Sequence, residues 1–412
     1  MGIAALSGWT REQKNVVLAS YLGWTLDAFD FFLMVFVFKD IAKEFHTDIT
    51  TITVATTLTL AMRPIGAFLF GRAADKYGRR PVLMIDILLY SFLELASGFA
   101  PTLTVLLVLR ALFGVAMGGE WGVGASLTME TIPAKSRGFV SGLLQCGYPS
   151  GYLLASVVYG LLFPYLGWRG MFFVGVLPAL LVLFIRFRVP ESPGWKPQPR
   201  EVGGTLAIVQ KHWKLALYTI VLMTAFNFFS HGTQDLYPTF LQVQHGFGHV
   251  TVGAIAVFYN IGAIIGGITF GIWSERIGRR RAIVIATLLS LPVVPLWAFG
   301  ATAPLLAVGA FLMQVLVQGA WGIIPAHLNE LSPHAARATF PGFTYQLGNL
   351  FASINLPLQS TMAAHFGGDY SLALAAVAGV AALVIALLAG FGIEAKGIDM
   401  GAVKTPGTAP TF

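Results

Sequence analysis

Residues 71–80 read GRAADKYGRR, and residues 271–280 read GIWSERIGRR. At an offset of 200, Gly71, Asp75, Gly78, Arg79 and Arg80 align with Gly271, Glu275, Gly278, Arg279 and Arg280. The register persists. Gly119, Trp121 and Gly122 meet Gly319, Trp321 and Gly322, while Glu130, Pro133 and Arg137 meet Glu330, Pro333 and Arg337. One ungapped offset over about 70 residues makes the chain two copies of one unit, a parallel repeat of the kind that lets two bundles rock about a central site.

Composition says what the unit is. Of 412 residues, 56% are hydrophobic and 11% charged, whereas about a quarter carry charge in a soluble domain. Mean hydropathy is +0.73. Apolar runs long enough to cross about 30 Å of hydrocarbon begin near residues 16, 52, 81, 103, 138, 168, 214, 251, 281, 304, 340 and 370. The expected fold is therefore an all-α polytopic membrane protein with twelve transmembrane helices, arranged as two six-helix bundles related by a pseudo-two-fold axis. Nucleic-acid binding, a disulfide scaffold and disorder drop out, and the single Cys146 reads as a small packing residue. The polar start, Met1 to Asn15, runs into the first span without a small-residue cleavage site, so no removable signal peptide is expected.

An even number of spans puts both termini on one side, and lysine and arginine identify it. With a cytoplasmic N-terminus, inside segments hold 21 of the 26 basic residues and outside loops hold 3, namely Lys39, Lys43 and Arg169. That asymmetry predicts cytoplasmic N- and C-termini in the inner, cytoplasmic membrane of a cell. It also explains the net charge of +7 without an anionic partner. The Pro-rich stretch after Phe187 divides the chain into an N-terminal bundle (1–187), a linker (188–213), a C-terminal bundle (214–393) and a tail (394–412). A monomer is expected.

Ionisable residues deep in a span are costly unless paired or facing a cavity, so each is a functional candidate. Asp27, Asp30, Arg63, Asp86, Glu94, Arg110, Glu120 and Asp235 are such residues. Glu94 and Arg110 flank the turn near Pro101 at one level and read as a structural salt bridge. Asp27 and Arg63 share a level near the midplane. Asp86 reads as part of the network around the 71–80 loop, and Glu120 as either structural or proton-linked. At the offset of 200, Asp27 and Asp30 fall on Asn227 and Ser230 while Arg63 falls on Ala263, so the polar cluster is symmetric in place and asymmetric in charge. A single midplane cation suits a ligand with one carboxylate, to which arginine offers a two-pronged donor set.

In the seventh span Asn227, His231 and Gln234 recur at i, i+4 and i+7, with Asp235 one step further round. Such a stripe belongs on a cavity wall, since lipid could not satisfy it. Asp235 stands four residues after His231, where it can orient the imidazole and raise its proton affinity. Metal-binding and hydrolase motifs such as H-E-x-x-H and G-x-S-x-G are absent from the sequence. No cofactor is expected, and neither an enzyme nor an attached sensor module is indicated; His327 and Glu330 lie near the repeat's loop, where Arg337 is the expected partner.

The residues also resemble a known family. GRAADKYGRR and its copy resemble the signature loop of the major facilitator superfamily, and PESPGW (190–195) resembles a motif after span six in its sugar-porter-like members. In the loop, Asp75, Arg79, Glu275 and Arg279 read as gate and structural residues. The span-seven run from Asn227 to Thr239, with Arg63 in AMRPIGA, the acids of GWTLDAFDFF, and Gln346 and Asn349 in YQLGN, resembles the lactate and pyruvate permeases of the sialate:proton symporter family. That resemblance implies substrate recognition by Arg63, Asn227, His231, Gln234, Gln346 and Asn349, with Tyr148 shaping the pocket. It implies proton coupling through Asp27, Asp30, Asp235 and Glu120. The expectation is a proton-coupled symporter of a small monocarboxylate, in which Asp27 or Asp30 holds Arg63 when the carrier is empty. The alternatives are transport of a sialic acid, an aromatic acid or an osmolyte; the extra spans common in sialic-acid members are lacking here, which favours the small monocarboxylate.

Overall fold

A computed structural model describes residues 9–47, 49–195, 210–398 and 400. The predicted linker at 188–213 and tail at 394–412 thus lie partly outside the described residues.

Every regular element among them is helical. The first, α1 (Arg11–Phe36), starts at a capping box in which the Thr10 hydroxyl accepts from Gln13 N and the Gln13 side chain accepts from Thr10 N. Such a box satisfies two amides that the first turn would leave unbonded. At the quoted loop, Ile49–Tyr77 gives way to Arg79–Gly98 across one residue, Gly78 at φ 105°. Its copy does the same: His249–Ile277 and Arg279–Ser290 are joined by Gly278 at φ 98°. Only glycine adopts that region at little cost, so the loop is as short as a helix reversal allows.

Ten described helices are long and apolar enough to cross a membrane. Two further apolar stretches are broken. Gly167 turns the chain at φ 62°, and the segment after it stops at Val174 before Ala179–Arg188 resumes. Likewise Thr339–Ala352 and Asn355–His365 are separated by Ser353 and Ile354. Continuous spans expected near 168 and 340 are therefore two-piece helices. Gly175 and Pro178 account for the first interruption, since a glycine is entropically costly in a helix and a proline N donates no bond.

Packing follows the repeat. Ile49–Tyr77 crosses Leu103–Thr131 where Gly66 meets the Val115 carbonyl, and His249–Ile277 crosses Ala303–Trp321 where Gly266 meets that of Val315. The copies then exchange partners, with Ile49–Tyr77 lying on Thr339–Ala352 and His249–Ile277 on Arg137–Gln145. Glycines make these contacts possible: Gly122 faces Gly342, Gly142 faces Gly267, and Gly138 faces Gly271.

The end carrying the two loops is tied shut. Arg79 pairs with Asp75 at 3.2 Å and Glu130 at 3.1 Å, and Arg279 pairs with Glu275 at 2.8 Å and Glu330 at 3.0 Å. Asp75 reaches across to accept from Ala338 N at 2.9 Å and from the Thr339 hydroxyl at 2.6 Å, while Glu275 accepts from Gly138 N. Arg137 of the first copy approaches Glu330 of the second at 3.8 Å, and Arg337 approaches Glu130 at 3.9 Å. This corrects the expected pairing of Arg337 with Glu330. Arg279 already occupies both oxygens of Glu330, so the symmetry sends Arg337 to the other copy's glutamate.

Candidate functional site

Arg63 is the central residue of Ile49–Tyr77 and is buried, with 3% of its surface accessible. Two local features fix it. Pro64 follows it and removes a helix donor, freeing the Leu60 carbonyl. On the crossing helix Gly118 lies so close that a β-carbon there would stand 2.1 Å from the Arg63 carbonyl. The guanidinium donates from Nη2 to Met117 Sδ at 2.6 Å and lies 5.5 Å from the centre of the Phe31 ring. Its Nε has no hydrogen-bond partner among the described residues.

The acid expected to hold it does not. Both carboxylate oxygens of Asp27 and of Asp30 are buried without a described hydrogen-bond partner, and neither residue makes an ion pair with Arg63. The helix faces explain why. Asp27 lies one turn from Gly23, against which the Glu120 carboxylate rests. Asp30 turns instead toward Gly175, where it meets Glu94, and Glu94 accepts from Arg110 Nη2 at 2.6 Å. Asp30 therefore sits with the Glu94–Arg110 pair. Asp86 is also corrected: it is buried inside the first copy with Glu120 and Asp27 as its charged neighbours, not in the loop network.

The second copy supplies an opposite wall. His231 Nδ1 lies 3.2 Å from Asp235 Oδ2, and Asn349 faces the same imidazole. Of the two side chains, 32% of His231 and 37% of Asp235 remain accessible, so neither is sealed inside the bundle. Gln234 Nε2 donates to Gln314 Oε1 at 2.9 Å, whose own Nε2 donates to Thr233 Oγ1 at 3.2 Å. Asn227 is less free, since its Nδ2 donates to the Met223 carbonyl at 2.8 Å. Gln346 is buried with both amide atoms unpartnered. Tyr148 packs against Trp24 and Phe32, with ring centroids 5.8 and 5.2 Å away.

Arg63 acts electrostatically on His231, Tyr148, Tyr345 and Asp27. One cation from the first copy thus faces a hydrogen-bonding wall from the second. Two surface clefts, of about 370 and 660 Å³, lie at the loop end beside Gly392 and Arg280 and touch none of these residues. Sequence reasoning missed Gln314, Met117, Trp121 and Tyr345, the last tilted at 43° against Trp121 with ring centroids 4.7 Å apart. The polar Gln314 carried a usable signal, because at the offset of 200 it replaces Gly114. Nothing in sequence distinguished Met117 from an ordinary core methionine.

Comparison with known proteins identifies relatives of the whole chain. The chain is 30% identical to a carboxylic acid transporter protein homolog of Saccharomyces cerevisiae over 94% of its own length and 67% of that protein's. It is 30% identical to the sialic acid transporter NanX of Escherichia coli, covering 93% of this chain and 95% of the relative. In structure it superposes on the proton:xylose symporter XylE with a TM-score of 0.74 at 19% identity, over 94% of this chain and 97% of that one, which establishes a shared fold. The family model of the Major Facilitator Superfamily matches residues 20–256 and 220–397. With the repeat, the membrane-crossing helices and the paired loops, these matches make the chain a multi-pass membrane transporter that belongs to the Major Facilitator Superfamily.

Proposed function

We propose that this transporter carries a short monocarboxylate, of the lactate or pyruvate class, together with a proton across the cytoplasmic membrane. Twelve spans, counting the two broken stretches, form bundles 1–187 and 214–393. These rock about the Arg63 site, with the loop end and both termini in the cytoplasm, and the protein works as a monomer.

The observation that carries this reading is a buried arginine at the centre of its helix with no acid in salt-bridge reach among the described residues. A buried cation without a direct ion pair is costly in low dielectric, and a carboxylate offsets that cost with two charge-assisted hydrogen bonds. Gln234, Gln346, Asn349 and His231 then meet the rest of a small acid, while Tyr148 closes the side. The proton belongs on Asp27. As an anion it would stand unpartnered in the same low dielectric beside Glu120, and a proton removes that cost. Loaded with one anion and one proton, the carrier turns over without net charge movement. The carboxylic and sialic acid relatives support an organic acid as the class of substrate.

Uptake of radiolabelled lactate into proteoliposomes with an inside-alkaline gradient tests this. Accumulation that collapses with the gradient, and falls at least a hundredfold in both Arg63→Ala and Arg63→Lys, is the expected result, because lysine offers no two-pronged fork. Uptake indifferent to the gradient, or kept in Arg63→Ala, overturns it. The relation to the sialic acid relative supports a second reading, a larger acid, which competition by sialic acid would reveal.

A further inference from the structure

At the crossing that fixes Arg63, the two copies differ in one informative way. Gly118 sits against the Arg63 backbone, and the same crossing is rebuilt in the second copy, where Gly266 meets Val315 as Gly66 meets Val115. Moved by 200 residues, Gly118 becomes Gln318 and Arg63 becomes the buried Ala263. An amide therefore stands at the height of the arginine, on the symmetry-related wall.

Its neighbour one turn away is already spent. Gln314 is buried, accepts from Gln234 and donates to Thr233. Gln318 is only half-buried and makes one long contact, from Nε2 to Ser230 Oγ at 3.5 Å. Its side-chain oxygen Oε1 accepts none of the described hydrogen bonds. A 2-hydroxy acid held by its carboxylate at Arg63 can donate its hydroxyl to that oxygen, and a 2-keto acid can accept from the amide NH₂. An unsubstituted acid such as propionate offers neither group.

We propose that Gln318 is the specificity-determining residue that reads the 2-oxygen of the substrate, an assignment that rests on the monocarboxylate reading above. Arg63 supplies affinity for any small carboxylate, and Gln318 sorts among them.

The test compares initial uptake of lactate, pyruvate and propionate in proteoliposomes of the intact protein and of Gln318→Leu and Gln318→Glu. Losing one neutral hydrogen bond is worth about tenfold in affinity. In Gln318→Leu the KM for lactate and for pyruvate should rise about tenfold while that for propionate moves less than twofold. Gln318→Glu should keep lactate, whose hydroxyl the new carboxylate accepts, and lose pyruvate, which finds no donor. A variant that does not elute as a single species in gel filtration is replaced by Gln318→Met, for which the Leu pattern is expected. An equal change for all three acids, or no change for any, overturns the assignment and leaves the transport reading intact. Failure of the unsubstituted protein to take up any of the three overturns both.

Discussion

His231 and Asp235 illustrate what a single helix can encode. Four residues apart, with Nδ1 and Oδ2 at 3.2 Å, they act as a unit only if each is useless without the other. His231→Asn and Asp235→Asn should each cut gradient-driven uptake tenfold or more, and the double variant should be no worse than the poorer single one. Additive losses in that cycle would mean the two serve different steps. This stripe was legible in sequence because polar residues in an apolar span have few places to go. The arginine's surroundings were not. Sharing a level with Asp27 suggested an ion pair, yet level along a helix does not fix rotation about it, and the guanidinium meets Met117 and Phe31 instead. Gln318 was hidden for a related reason, since its meaning appears only when the crossing helix is seen in both copies.

Elements in this fold are held close by what they lack. Sequence placed the helices from hydropathy and the loop reversals from glycine, and Gly78 and Gly278 take the positive φ such a turn requires. It could not say which other glycines are contacts, because a glycine at a crossing and one facing lipid read alike. The structure separates them. A β-carbon at Gly118 would stand 2.1 Å from the Arg63 carbonyl, while one at Gly160 meets nothing within 4 Å. Gly118→Ala should therefore destabilise by about 1–3 kcal/mol or more, as overpacking does, and displace Arg63 enough to abolish uptake. Gly160→Ala, in a helix and in open space, should stabilise by about 0.4–1 kcal/mol with uptake unchanged. Melting of the detergent-solubilised protein, followed by tryptophan fluorescence, measures both. Equal melting shifts would show that the crossing is softer than its geometry implies.

At the scale of the whole molecule, the repeat was readable from one offset, but the exchange of charges between copies was not, because an alignment says which residues correspond and not which ones touch. The segment after the last helix adds a contact of the same kind. Ile398 O accepts from Arg137 Nη1 of the first copy at 2.5 Å, and Met400 O accepts from Arg337 Nη1 of the second at 3.1 Å. The Met400 side chain is fully buried among Met129, Ile132, Val140 and Leu144 of the first copy and Ala326 of the second. Separating the copies at the loop end must pull this side chain out of one wall or the other, so it favours the tied state. Met400→Asp puts a carboxylate into that apolar lining in place of the thioether and should shift the population toward opening. Cys146 reports it, being the chain's one cysteine and lying buried against Gly267 of the other copy, with its thiol toward the Ile264 carbonyl at 3.5 Å. N-ethylmaleimide should label Cys146 at least tenfold faster in Met400→Asp than in the unsubstituted protein, and Met400→Leu, which keeps the apolar contact, should label at the unsubstituted rate. Both variants must elute as single species, which separates opening from unfolding. Equal labelling in all three would mean that the charge network holds the loop end without help from this segment.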